Sequence, residues 1–104
     1  MLVTCAFGSE VVLVATDDLS EIARIEVADT RPRSPADNGV ARRTMPMNAA
    51  WSNEGDRAWI TLMHGDRIVE VSRTGDFIRS VAAGPNPVSL APTPDGQRLL
   101  VTNR

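Results

Sequence analysis

The sequence predicts an all-β chain made of small four-stranded antiparallel sheets repeated in tandem. Three observations carry that prediction. Short β-prone runs alternate with turns of a few residues. One segment repeats itself at an offset of 41 residues. No stretch of a dozen residues keeps the i, i+3, i+4 apolar spacing of a helix without a glycine or proline interrupting it.

The repeat sets Pro46 to Leu62 over Pro87 to Asn103, with Asn53-Glu54-Gly55-Asp56 over the Pro94-Asp95-Gly96 turn. The same pattern runs backwards as well: Ile60-Thr61 matches Val3-Thr4, Gly65 matches Gly8, and Ile68 to Val71 matches Val11 to Val14. Within the complete copy, Asn48 to Ser52 is a first strand, and Asn53 to Asp56 is a turn whose glycine takes positive φ without steric cost. Arg57 to Leu62 is a second strand. After the loop His64-Gly65-Asp66 comes a third, Arg67 to Ser72, and after Thr74-Gly75-Asp76 a fourth, Phe77 to Ala82. Connections this short make neighbouring strands antiparallel.

A single small twisted sheet cannot cover both of its apolar faces, so a tandem unit of about 40 residues and four strands is stable only when stacked on its siblings around an axis. That is the logic of β-propeller blades. The chain then divides into a partial blade (2–27), an inserted loop (28–45), a complete blade (46–83) and the first half of the next (87–103). This incomplete propeller cannot close a ring alone. The pattern predicts a slice of a longer chain or a chain completed by further blades, with exposed apolar faces and open strand edges that favour association.

Composition narrows the function classes. Thirteen acidic side chains stand against eleven basic ones, all arginine, for a net charge of -2. That argues against general electrostatic binding of nucleic acid or anionic lipid. No apolar run approaches the roughly 20 residues of a membrane span, and Met1 to Cys5 carries no export signal. One cysteine, Cys5, excludes an internal disulfide and a cysteine metal cluster. No nucleophile elbow, phosphate loop or dinucleotide fingerprint occurs, and no cofactor or metal is called for by the residues.

The segment GPNPVSLAPTPDGQRLLVTNR resembles the YVTN-type repeat of bacterial β-propellers, through Gly84, Pro87, Pro94-Asp95-Gly96 and Val101-Thr102-Asn103. RIVEVSRTGDFIRSVAAG resembles the second half of the same repeat. The match departs at Leu100, Ser72, Ala15 and Asn53-Glu54-Gly55. The resemblance implies a parent of about seven blades. It also implies frequent periplasmic or extracellular placement, and roles that range from surface binding to redox enzymes and lactonases.

Because strand direction alternates, the loop between second and third strands and the loop between blades emerge on one face. That face holds Phe7 to Glu10, Met63 to Asp66, Gly84-Pro85-Asn86 and the eighteen-residue junction 28–45, against three residues at the later junction. Candidate ligand-contacting residues there are His64, Asp66, Asn86 and Asn103, with Asp37 and Asn38 in a tight turn and Arg42 and Arg43 aimed at an anionic ligand or partner. The competing reading of each is structural: a solvated loop histidine, a strand cap, a surface excursion. No catalytic residue is assigned. Trp51 and Trp59 are placed between blades as packing, and Cys5 as inert. The expected function is a non-catalytic binding or scaffolding module that meets a protein or small-molecule ligand through its loop face. The alternative is part of a propeller enzyme, a lactonase-like hydrolase or a quinoprotein or haem-partnered oxidoreductase, whose active groups come from other blades.

Overall fold

The computed structural model describes residues 2–4, 10–27 and 44–104. The expectations placed on Cys5, Phe7, Asp37, Asn38, Arg42 and Arg43 lie outside these residues. Nine strands and no helix occur among the described residues: β1 (Leu2–Thr4), β2 (Glu10–Val14), β3 (Glu21–Glu26), β4 (Pro46–Trp51), β5 (Arg57–Leu62), β6 (Arg67–Ser72), β7 (Phe77–Ala82), β8 (Pro87–Pro92) and β9 (Leu99–Asn103). They form three antiparallel sheets in simple up-and-down order, β1-β2-β3, β4-β5-β6-β7 and β8-β9.

Strands β5, β6 and β7 have the bounds read from the sequence. The first strand of the four-stranded sheet differs, running Pro46–Trp51 rather than Asn48 to Ser52. A bulge between Pro46 and Asn48 lets the proline join the ladder opposite Leu62. Ser52 leaves the strand to close the turn, its N–H donating to the Arg57 carbonyl at 2.8 Å.

Side chains alternate across the strands and sort into two apolar layers. Ala58, Ile60 and Leu62 of β5 and Val69 and Val71 of β6 pack against Val11, Ile25 and Val27, joined by Ala49 and Trp51. On the opposite face of the same sheet, Trp59 and Ile68 meet Leu90, with Leu99, Val101, Ala50 and Ala83 at the margin. Strands β5 and β6 are therefore covered on both faces, which is why β5 is buried along almost its whole length, whereas β7 stays largely exposed. The two tryptophans fall in different layers, both as packing. Thr61, fully buried, adds a polar tie between sheets by donating to the Val88 carbonyl at 3.0 Å.

The repeat extends to backbone geometry. Gly55 and Gly96 have φ of 74° and 73°, and Met45 and Asn86 have φ of 55° and 49°. The bulge at Pro46/Asn48 recurs at Pro87/Ser89. Met63 N–H donates to the Met45 carbonyl as Arg104 N–H does to Asn86, at 3.1 and 2.9 Å. Each of these pairs is 41 residues apart, so the two copies share one plan of turns and hinges.

Candidate functional site

Three of the predicted residues meet at one corner, where the β5–β6 loop, the link between the second and third sheets and the end of β9 come together. Asp66 has left-handed backbone at φ 55°, a conformation that aspartate and asparagine tolerate better than most side chains. Its carbonyl accepts from Ala83 N–H at 3.0 Å, and its Oδ1 accepts from Asn86 N–H at 2.9 Å. Asn103 donates both amide protons, to the carbonyls of Ala83 and Pro85, each at 2.8 Å. Arg104 N–H closes the corner on the Asn86 carbonyl. The link from Ala83 to Asn86 is thereby held on three sides by polar partners.

His64 sits two residues before Asp66 at the rim and is exposed. Its N–H donates to the Thr44 carbonyl at 3.0 Å. Thr44 is 1% exposed and its hydroxyl donates to the Val27 carbonyl at 2.9 Å. The returning chain at Thr44 thus anchors the loop that carries His64 to the end of the preceding sheet. Gly65 lies in the same crowded turn, where a Cβ would stand 3.2 Å from Leu62 Cβ and 3.4 Å from the Thr44 methyl.

The structure also places polar groups that the sequence reading did not single out. Glu70, 4% exposed, faces the third sheet and accepts from Trp59 Nε1 at 2.9 Å, Arg79 Nε at 3.1 Å and Arg57 Nη1 at 3.3 Å. The Arg57 guanidinium also stands over the Trp59 ring at 5.2 Å. The signal was present in the repeat, because an apolar residue, Leu13, occupies the matching position of the first sheet and is buried there. On the face of the molecule opposite to His64, a cleft of about 390 Å³ opens between the first two sheets, lined by Leu13, Ile22, Trp51, Glu54 and Arg73. No group of three or more metal-ligating side chains occurs among the described residues.

Among the turns, two aspartates are held ionised by hydroxyl donors. Ser52 Oγ donates to Asp56 at 2.8 Å, and Thr93 Oγ1 donates to Asp95 at 2.6 Å. Each bond lowers the carboxyl's affinity for a proton below that of an ordinary aspartate.

No family model and no curated relative matches the chain. Solved structures do. The chain is similar to the C-terminal WD40 domain of Sif2, with a TM-score of 0.60 and 17% identity over 94% of this chain and 26% of that one. It is also similar to a Bacteroides fragilis protein assigned as a 6-phosphogluconolactonase, with a TM-score of 0.57 and 16% identity over 100% of this chain and 34% of that one. The fold is an incomplete β-propeller. The chain spans about a quarter to a third of the length of these two structures.

Proposed function

We propose that this chain is part of a YVTN-type propeller and serves as a binding and scaffolding module, whose partner meets the corner formed by His64, Asp66, Asn86 and Asn103. In this reading residues 2–27, 46–83 and 87–103 are successive blade units, and the 28–45 segment extends the rim with Asp37, Asn38, Arg42 and Arg43. The observation that carries it is how the corner's polar groups are spent. Asp66 Oδ1 and both Asn103 amide protons hold backbone. Groups committed in this way hold the corner in one shape. A fixed surface suits recognition, because less conformational freedom is lost on binding.

A second reading, part of a propeller hydrolase, draws on the likeness to the 6-phosphogluconolactonase. At 16% identity that likeness speaks for the fold, and one fold hosts many chemistries. One experiment separates the two. Peptides selected by phage display on the immobilised chain are tested against His64→Glu and Asn86→Arg variants, while hydrolysis of 6-phosphogluconolactone is followed in parallel. Binding weakened at least about tenfold by the variants, with unchanged circular dichroism, supports the binding module. Peptides that ignore both variants, or hydrolysis above the buffer rate, overturn it.

A further inference from the structure

The cleft of about 390 Å³ between the first two sheets is lined by both apolar and oppositely charged side chains. We propose that it binds a small zwitterion with a large apolar side chain, of the class of the free apolar amino acids. Arg73 takes the carboxylate, Glu54 the ammonium, and Leu13, Ile22 and Trp51 the side chain. This goes beyond the binding module and does not depend on it.

The walls follow from local features of internal strands and turns. Residues 15–20 join β2 to β3 and residues 73–76 join β6 to β7, so the first sheet has the longer turn, and its Ala15 and Thr16 line the cleft. A bulge lies beside that turn. Leu13 pairs with Ala23 and Val14 with Glu21, which leaves Ile22 opposite no residue. Bulges re-aim side chains, and Ile22 lines the cleft while staying 54% exposed. Buried Leu13 and half-buried Trp51 extend the apolar lining. Next to Leu13 the sheets close, since a Cβ on Gly75 would stand 2.5 Å from Ala23 and 3.8 Å from Leu13.

The charged pair is left over where its relatives in the repeat are spent. Asp95, one repeat after Glu54, is used within its own turn, accepting from the Thr93 hydroxyl at 2.6 Å and from Gln97 N–H at 3.0 Å. In the earlier turn that task falls to Asp56, which accepts from Ser52 Oγ at 2.8 Å. Glu54 is thereby released. Its carboxylate has no hydrogen bond or ion pair among the described residues, and the Arg73 guanidinium has none either, although both residues line the cleft. Their turns are tied to each other, because Arg73 N–H donates to the Asp56 carbonyl at 3.0 Å. The indole N–H of Trp51 also has no acceptor among the described residues, so the apolar lining keeps one unused donor.

Opposite charges in one cleft select the ligand. A simple carboxylate would satisfy Arg73 and confront Glu54, and a simple amine would do the reverse, whereas a zwitterion pairs with both. The volume suits a small molecule, and apolar walls with a few polar groups are the usual lining of such sites. An aromatic body can in addition stack on the Trp51 ring.

Titration calorimetry of the 104-residue chain with L-phenylalanine, 3-phenylpropanoate and 2-phenylethylamine tests this. The three share one apolar body; the second lacks the ammonium and the third the carboxylate. Saturable binding of L-phenylalanine, at least about tenfold tighter than either of the others, is expected. Arg73→Gln and, separately, Glu54→Gln are each expected to weaken it at least about tenfold. Both side chains are exposed, so circular dichroism should stay that of the unaltered chain. His64→Glu, which alters the proposed partner-binding corner, is expected to leave L-phenylalanine binding unchanged. No saturation by about 10 mM, comparison ligands that bind as tightly, or affinity indifferent to Arg73→Gln and Glu54→Gln overturns the proposal. The three-ligand series uses the unaltered chain, so it decides the matter even if a variant fails to fold.

Discussion

Gly75 and Gly55 both have left-handed backbone, with φ of 95° and 74°, yet their surroundings differ. A Cβ on Gly75 would stand 2.5 Å from Ala23 Cβ on the neighbouring sheet, whereas a Cβ on Gly55 would meet nothing within 4 Å. The first glycine lets two sheets touch; the second only lets a chain turn. Gly55→Ala should therefore cost about 1 kcal/mol from backbone strain alone. Gly75→Ala should cost that amount and a further 1–3 kcal/mol or so for forcing the sheets apart. Urea denaturation of the two variants checks this, and equal losses would mean that the Ala23 contact yields freely. Glu70 teaches a related lesson about single positions. Its place in a strand that otherwise reads Ile-Val-x-Val marks it as unusual, but its partners come from β5 and β7, so their convergence was visible only once the ladder register was known.

Turns carry the next level of information. The Ser52 to Arg57 and Thr93 to Arg98 connections are the same device: a hydroxyl that accepts from the second strand's first N–H or its neighbour and donates to an aspartate within the turn. Because Asp56 and Asp95 bind protons less readily in the folded chain than unfolded, the stability they contribute is present above the ordinary aspartate range. It is lost as pH falls through their lowered folded values. Thermal melts should therefore decline as pH drops below about 4. The decline should be shallower in an Asp56→Asn, Asp95→Asn double variant; an identical acid limb would show that these bonds do not discriminate folded from unfolded chain. Strands and turns of this kind were legible in the sequence because each is local, an alternation of two residues bounded by glycine, proline or aspartate. The corner of Asp66, Asn86 and Asn103 was legible in part. Strand alternation placed all three on one face, but which atoms meet depends on the left-handed backbone at Asp66 and Asn86, and no residue pattern announces that.

For the molecule as a whole, the decisive quantity is apolar surface left uncovered. Leu100, Ile22, Ile78 and Val81 are between 47% and 66% exposed. If covering them completes the fold, stability and association are one equilibrium. The midpoint of thermal unfolding should then rise with protein concentration over the micromolar range. It should stop doing so in Leu100→Arg, as read by calorimetry at several concentrations; a concentration-independent midpoint in the unaltered chain would show that one copy is stable by its own two apolar layers.

Because the hinge at Met45 and the hinge at Asn86 have the same backbone geometry and receive the same incoming N–H, the stretch between them is a cassette with matching ends. Excising it, or inserting it twice, joins one hinge to its twin and asks no connection to be invented. A duplication or loss of this 41-residue unit therefore meets the same backbone geometry at its joint, so the number of sheets changes in whole repeats rather than by gradual remodelling.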